Sequence, residues 1–561
     1  VTAGVPETTG TADVSGTVNP VGTAGGPGAT GTAGGAGTAG VLGAAGAART
    51  FTNPILPGFH PDPSICRVGD DYYLVTSSFE WFPGVPIFHS LDLVHWRPLG
   101  HVLDRPSQLP LDGTKPSGGI YAPTLRHHEG VFYMITTLVD GRPEAGLENF
   151  VVTATDPAGP WSEPYPLDLP RAFDPSLFFD DDGTAWVTAT RPTNDLGHTE
   201  IFLRRLDLGT MTLTGEETVL WDGALKDAVW AEGPHLYKVD GRYHLLIAEG
   251  GTAHDHAVTV ARSDDVAGPY HGNPRNPVLT HRHLGLDHPI VGTGHGDLVR
   301  TAAGEWWMVL LAMRPYGGYH YNLGRETFLT RVRWEDGWPL AEQVRPEAAA
   351  PGLPEHRWPA EPVCDNFDAE RLAPCWNHLR TPREPYWSLT ERPGHLRLRP
   401  GPRTLAERAA PSLVARRQCH RDFAAHTALD FTPAGDGCAG LVLVQNDDFH
   451  IRYVLSARGL EVVRRHAGAD EVLATAPVPG GRLFLGVEAR GQEYRMRYAT
   501  TPGRWLPLGA AVDGRVLSTT VAGGFTGAYI GMYAAGGPEA ARSPADFDWF
   551  EYFPLGEPVS P

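Results

Sequence analysis

Among the residues of the first three hundred able to move protons, four stand at a near-constant distance from a recurring aromatic landmark. Asp62 lies 11 residues before Tyr73, Asp174 lies 12 before Trp186, Glu232 lies 12 before His244, and His295 lies 12 before Trp307. At the matching place in one further copy, 11 before Tyr133, stands Ala122. Two carboxyl groups facing a sugar acetal suffice for hydrolysis, because one protonates the leaving oxygen while the other activates a water on the opposite face. A third can tune and orient the acid. Carboxylates brought together repel, which raises at least one pKa toward the range where a neutral carboxyl donates a proton near neutral pH. Asp-Pro-Ser, present at Asp62 and at Asp174, is also an ordinary turn signal. The equivalence of three acids, more than either copy alone, points to chemistry, and spacing does not say which acid plays which part.

The landmarks belong to a repeat. Five times a turn of Gly and acidic residues leads into an aromatic, β-branched burst: Gly69-Asp70-Asp71-Tyr72-Tyr73, Glu129-Gly130-Val131-Phe132-Tyr133, Asp182-Gly183-Thr184-Ala185-Trp186, Asp240-Gly241-Arg242-Tyr243-His244 and Ala303-Gly304-Glu305-Trp306-Trp307. Each reads as a hairpin turn entering a buried strand. The markers recur every 53 to 63 residues, room for one four-stranded sheet per copy. Sheets repeated radially make a β-propeller, whose first strands line the axis, so equivalent positions converge at one end. Five copies predict an all-β, five-bladed propeller over residues 51–345. A large sandwich would explain the strands but not the period.

Residues 346–362 have the Pro, Ala and Glu content of a linker. From 363 to 556, two-residue alternation, as in Tyr494-Arg495-Met496-Arg497-Tyr498, and Gly-rich turns predict a C-terminal β-sandwich. Residues 1–50 are rich in Gly, Ala and Thr and cannot build a core, which predicts a disordered tail.

Composition narrows the partners. A net charge of −19 repels polyanions, which argues against nucleic acid. No apolar run of membrane-spanning length occurs, and no basic-then-apolar signal segment stands at the start, so a cytoplasmic location is expected. The five Cys show no zinc spacing and read most simply as free thiols. Self-association is left open.

Several motifs carry a family resemblance: Asn53-Pro54-Ile55-Leu56-Pro57-Gly58-Phe59-His60-Pro61-Asp62-Pro63-Ser64, Ser77-Ser78-Phe79-Glu80-Trp81-Phe82-Pro83-Gly84-Val85, Gly118-Gly119-Ile120-Tyr121-Ala122-Pro123, Glu232-Gly233-Pro234-His235-Leu236 and Leu323-Gly324-Arg325-Glu326-Thr327. In this order they resemble glycoside hydrolase family 43, and residues 53–555 resemble its two-domain β-xylosidases. The resemblance implies a five-bladed, inverting, exo-acting enzyme with Asp62 as general base, Glu232 as general acid and Asp174 setting the acid's pKa and orientation. It implies that Arg325 reaches the terminal sugar's hydroxyls, that Phe79 and Tyr121 wall the pocket, and that Phe525 is presented by a sandwich loop. Similar β-xylosidases often carry Trp where Tyr121 stands, so the choice between β-D-xylosides and α-L-arabinofuranosides stays open. His295 resembles a histidine bordering the channel and, in some members, an ion. A lone His is more often a satisfied buried residue, so no metal and no cofactor are expected. Two other readings compete: a non-catalytic sugar-binding propeller, which needs no converging acids, and a retaining fructan-active propeller, which predicts more closely spaced carboxyl groups.

Overall fold

The computed structural model describes residues 49–139, 146–225, 229–350 and 352–556; most of the segment expected to be a tail, residues 1–48, lies outside them. Five antiparallel sheets follow one another from Ser64 to Ala341, each built mainly of strands paired with their neighbours in the chain. Their first long strands, called first strands below, are Ser64–Val68, Thr124–His128, Phe173–Phe179, Glu232–Val239 and Val291–Arg300, the second preceded by the two-residue Gly119–Ile120. Every turn predicted from the repeat joins a first strand to a second. In Glu129-Gly130 and Asp240-Gly241 both residues have positive φ (49° and 82°, 49° and 78°), the geometry that matches the twist of two-residue hairpins.

Apolar side chains join each sheet to the next. Ile87 and Val75 pack with Leu125 and Met134, Ile135 and Val151 with Leu177 and Val187, Ile201 and Leu203 with Leu236 and Leu245, and Leu246 and Val258 with Met308 and Leu310. The fifth sheet also packs on the first, through Trp307, Val309 and Leu329 against Ile65 and Leu74. First strands touch in the same succession, the last meeting the first.

Residues read as a linker do more than connect. Glu347–Ala349 pairs with Thr50–Thr52, with Phe51 opposite Ala348. Beside this pair, the Asn53 amide donates to the carbonyls of Leu329 and Arg345 and accepts from the Leu329 N–H. The two ends of the first unit are thereby fastened by backbone hydrogen bonds, which a side-chain pattern does not reveal.

Beyond residue 363 lie two larger antiparallel sheets, one centred on Phe423–Phe431 and Gly481–Arg490, the other on Cys438–Asn446 and Tyr529–Ala535. Leu429, Leu443, Tyr453, Leu485 and Phe547 share the core between them. All five cysteines are free thiols. This second unit grips the first around the site: Trp81 stacks on Tyr529 at 3.5 Å and 11°, and His378–Leu379 pairs with Trp81–Phe82.

Candidate active site

The acids owe their aim to a repeated backbone kink. Asp62, Asp174 and His295 have φ of 52°, 49° and 47°, a left-handed conformation that costs energy for residues other than glycine. At Asp174, Glu232 and His295 the pairing of first and second strands slips in register, as at a β-bulge, which turns a side chain out of the regular alternation. In the fourth sheet the left-handed place belongs to Gly233 (φ 59°), and the acid is the residue before it. Glycine is required there for a second reason, since a Cβ would lie 2.8 Å from the His295 Nε2. The equivalence predicted from spacing therefore holds for Asp62, Asp174 and His295 and is offset by one residue for Glu232.

These groups meet. Arg325 Nη1 donates to Asp62 Oδ1 at 3.0 Å, Ser77 Oγ donates to Asp62 Oδ2 at 2.6 Å, and His295 Nδ1 stands 3.7 Å from Asp62 Oδ1. Burial would raise the Asp62 carboxyl, but Arg325, His295 and the Ser77 hydroxyl outweigh it and hold it below the ordinary carboxylate range. Among the described residues, no such cation is bonded to Glu232. Burial, then the charges of Asp174 and Asp62, push it well up. Asp174 is also raised, by burial first and Asp62 second, with Arg325 and the Gly233 N–H acting in the opposite sense. The cluster thus holds one carboxylate that stays ionised and two carboxyls that favour a proton.

Three aromatic rings surround Arg325. Phe79 lies 5.1 Å from Tyr121 and 6.0 Å from Phe525, and the guanidinium stands 5.3 Å from the Phe79 ring and 5.6 Å from that of Phe525. Each ring is tied down locally. Phe79 exchanges backbone hydrogen bonds with Ile120, Tyr121 donates its hydroxyl to the Ser117 carbonyl, and the Phe525 N–H donates to Ser117 Oγ at 2.8 Å. Arg325 also donates to Thr252 Oγ1 at 3.0 Å, while its Nη2 is buried without a hydrogen-bond partner among the described residues.

All eight residues expected at the site are therefore found in one place. Ser77, Ser117 and Thr252 were missed as site residues. Ser77 stands in a motif already singled out, but nothing in its type marks it as the partner of Asp62.

Two residues after His295, Asp297 is fully buried. It pairs with Arg126 at 2.8 Å and accepts from Ser64 Oγ, the Ile65 N–H and the Tyr237 hydroxyl. Arg126 also donates to His235 Nδ1. A guanidinium already neutralises the acid nearest His295 on this side, so these residues do not fit a cation there. Among the described residues, no cluster of three or more His, Cys, Asp or Glu could hold a metal ion.

Known proteins resemble this chain along most of its length. Residues 51–339 match the model of glycosyl hydrolases family 43, and residues 364–553 match the beta xylosidase C-terminal concanavalin A-like domain. A xylosidase/arabinosidase of Butyrivibrio fibrisolvens is 44% identical over 520 residues, covering 89% of this chain and 98% of its own. A non-reducing end alpha-L-arabinofuranosidase of Bacteroides ovatus is 41% identical, covering 90% and 95%. The crystal structure of a xylan beta-1,4-xylosidase from Bacillus halodurans superposes with a TM-score of 0.84 at 40% identity, covering 90% of this chain and 99% of that one. The chain belongs to glycoside hydrolase family 43 and is a glycosidase with a β-propeller followed by a β-sandwich.

Proposed function

We propose that the enzyme removes single xylose units from the non-reducing ends of xylo-oligosaccharides with inversion, using Asp62 as general base, Glu232 as general acid and Asp174 as the residue that keeps Glu232 protonated. The observation that carries this reading is the division of charge within one cluster. Asp62 is held ionised by Arg325, His295 and Ser77, while Glu232 is pushed up by burial and Asp174.

In one turnover, ionised Asp62 takes a proton from water as the water oxygen bonds to the anomeric carbon. The bond from that carbon to the glycosidic oxygen breaks, and Glu232 gives its proton to the departing oxygen. One attack from the far face inverts the anomeric centre. The free Nη2 of Arg325 is placed to hold a hydroxyl of the terminal sugar, and Phe79, Tyr121 and Phe525 supply apolar walls suited to a single ring. A pocket closed partly by the sandwich favours chain ends over chain interiors. The five consecutive sheets, with the fifth packed on the first, support five blades over residues 51–345, and the sandwich is assigned to 363–556.

A second reading, release of α-L-arabinofuranose by the same acids, is favoured by Tyr121, which is smaller than Trp, and by the arabinofuranosidase activity named for the Bacteroides relative. Hydrolysis of paired nitrophenyl β-D-xyloside and α-L-arabinofuranoside, with product stereochemistry followed by NMR, separates the two. Faster turnover of the xyloside with inversion is expected. Inactivity on both, or retention, would defeat the proposal.

A further inference from the structure

Trp230 stands two residues before Glu232 and keeps 37% of its surface open, unusual for so large an apolar side chain. Its φ is 58°, a conformation in which a bulky aromatic residue is strained. The surroundings hold it there. Its N–H donates to the Gly197 carbonyl at 2.8 Å, and the neighbouring Val229 carbonyl accepts from the Gly250 N–H at 2.9 Å. Gly197 makes room for the indole, since a Cβ there would come within 3.2 Å of the ring, and Gly251 lies against its other atoms.

The ring's neighbours adjoin residues of the site in the chain. Phe173, centred 6.5 Å away and inclined at 64°, directly precedes Asp174. Gly251 directly precedes Thr252, which holds Arg325. Glu232 follows on the same segment. The indole thus packs among segments that carry Asp174, Glu232 and Thr252, the partner of Arg325, yet it bonds to none of the three acids. Strain that a fold maintains and a large aromatic surface left open are together what a ligand platform requires.

Resting on the reading proposed above, we infer that Trp230 is the platform for the leaving portion of the substrate, binding the sugar ring on the far side of the bond that Glu232 protonates. The group that donates to the glycosidic oxygen lies between the two sugars, so an exposed aromatic beside that donor meets the departing one. A pyranose presents an apolar C–H face to an indole, and contact of this kind is tolerant of which hydroxyls the sugar carries. Trp230 thereby selects for a sugar as leaving group without touching the terminal pentose.

The test compares two occupants of the site in the full chain. For Trp230→Asn, a residue that tolerates left-handed φ, kcat/KM on xylobiose is expected to fall about tenfold, mostly through KM. Competitive inhibition by free xylose, which fills only the terminal-sugar pocket, is expected to stay within about twofold of wild type. Trp230→Phe, which keeps an aromatic face, is expected to recover most of the loss, and the melting temperature of the Asn variant is expected to be no lower than that of wild type. An unchanged kcat/KM on xylobiose, or weakened xylose inhibition in parallel with KM, overturns the assignment of Trp230 alone. A wild type inactive on xylobiose and on arabinofuranosyl substrates overturns the parent reading, and this one with it.

Discussion

The same strands build two buried polar layers, and the layers are balanced in opposite ways. Around Asp297, two residues beyond His295, the carboxylate receives Arg126, two hydroxyls and a backbone N–H. Around Asp62, Asp174 and Glu232, one arginine serves three acids, two of which are left with raised proton affinity. A buried charge is tolerated when it is paired and fully hydrogen-bonded. The lower layer obeys that rule and contributes a rigid floor. The upper layer breaks it, and the imbalance is what gives one carboxyl a proton to donate while another remains a base.

The largest expected effect breaks the upper layer where it is least paired. Glu232→Gln should lower kcat on xylobiose by about 10³-fold, the scale of general acid catalysis, while the melting temperature holds or rises because a carboxyl facing Asp174 has gone. Steady-state kinetics beside thermal unfolding reads both, and a marked loss of stability would contradict the contrast between layers. Asp297→Asn should do the reverse. Leaving Arg126 buried without its partner is expected to cost about 3–5 kcal/mol in denaturant unfolding. A stable variant would mean that the floor is not fastened by this pair.

Smaller effects appear in the pH profile of kcat/KM. Asp174→Asn removes a carboxyl that turns negative beside Glu232 as pH rises, so the Glu232 proton is lost at lower pH and the alkaline limb moves toward acid. Arg325→Met removes the cation holding Asp62 ionised, so the acid limb moves to higher pH. Limbs that stay in place would show that other groups govern the titration.

The smallest effect belongs to the interface. Glu80 is buried, accepts from the Ser117 N–H, and is pushed by that burial from an ordinary value of 4.5 to about 7. Its folded pKa exceeds its unfolded one. Its contribution to stability is thus fullest below about 4.5, declines as pH rises to about 7, and does not fall further above that. Glu80→Gln should flatten this decline, as read by melting temperature between pH 5 and 8. An unchanged slope would assign the decline to other groups.

Much of the fold was legible because hairpins are local. The left-handed pair at Asp240-Gly241, the alternation after it and the distance back to Glu232 all lie within a dozen residues. Strand pairing between Thr50–Thr52 and Glu347–Ala349 was not legible, because backbone hydrogen bonds across nearly three hundred residues leave no side-chain signature in a stretch rich in Pro and Ala. The offset of Glu232 from the other acids was hidden for a related reason. Gly233 takes the left-handed place because His295, from another sheet, leaves no space for a Cβ.

The amino-acid order alone determined the repeat, the all-β class and the presence of an acid or histidine at nearly the same step of four repeats, since all of these follow from turn chemistry and alternation over short stretches. Which carboxyl is charged was decided only in three dimensions. Arg325 is 263 residues from Asp62, and Phe525 is 408 from the Ser117 that holds it. Proton affinity follows the distance in space to cations, dipoles and solvent, and closing the chain around the site is what sets those distances.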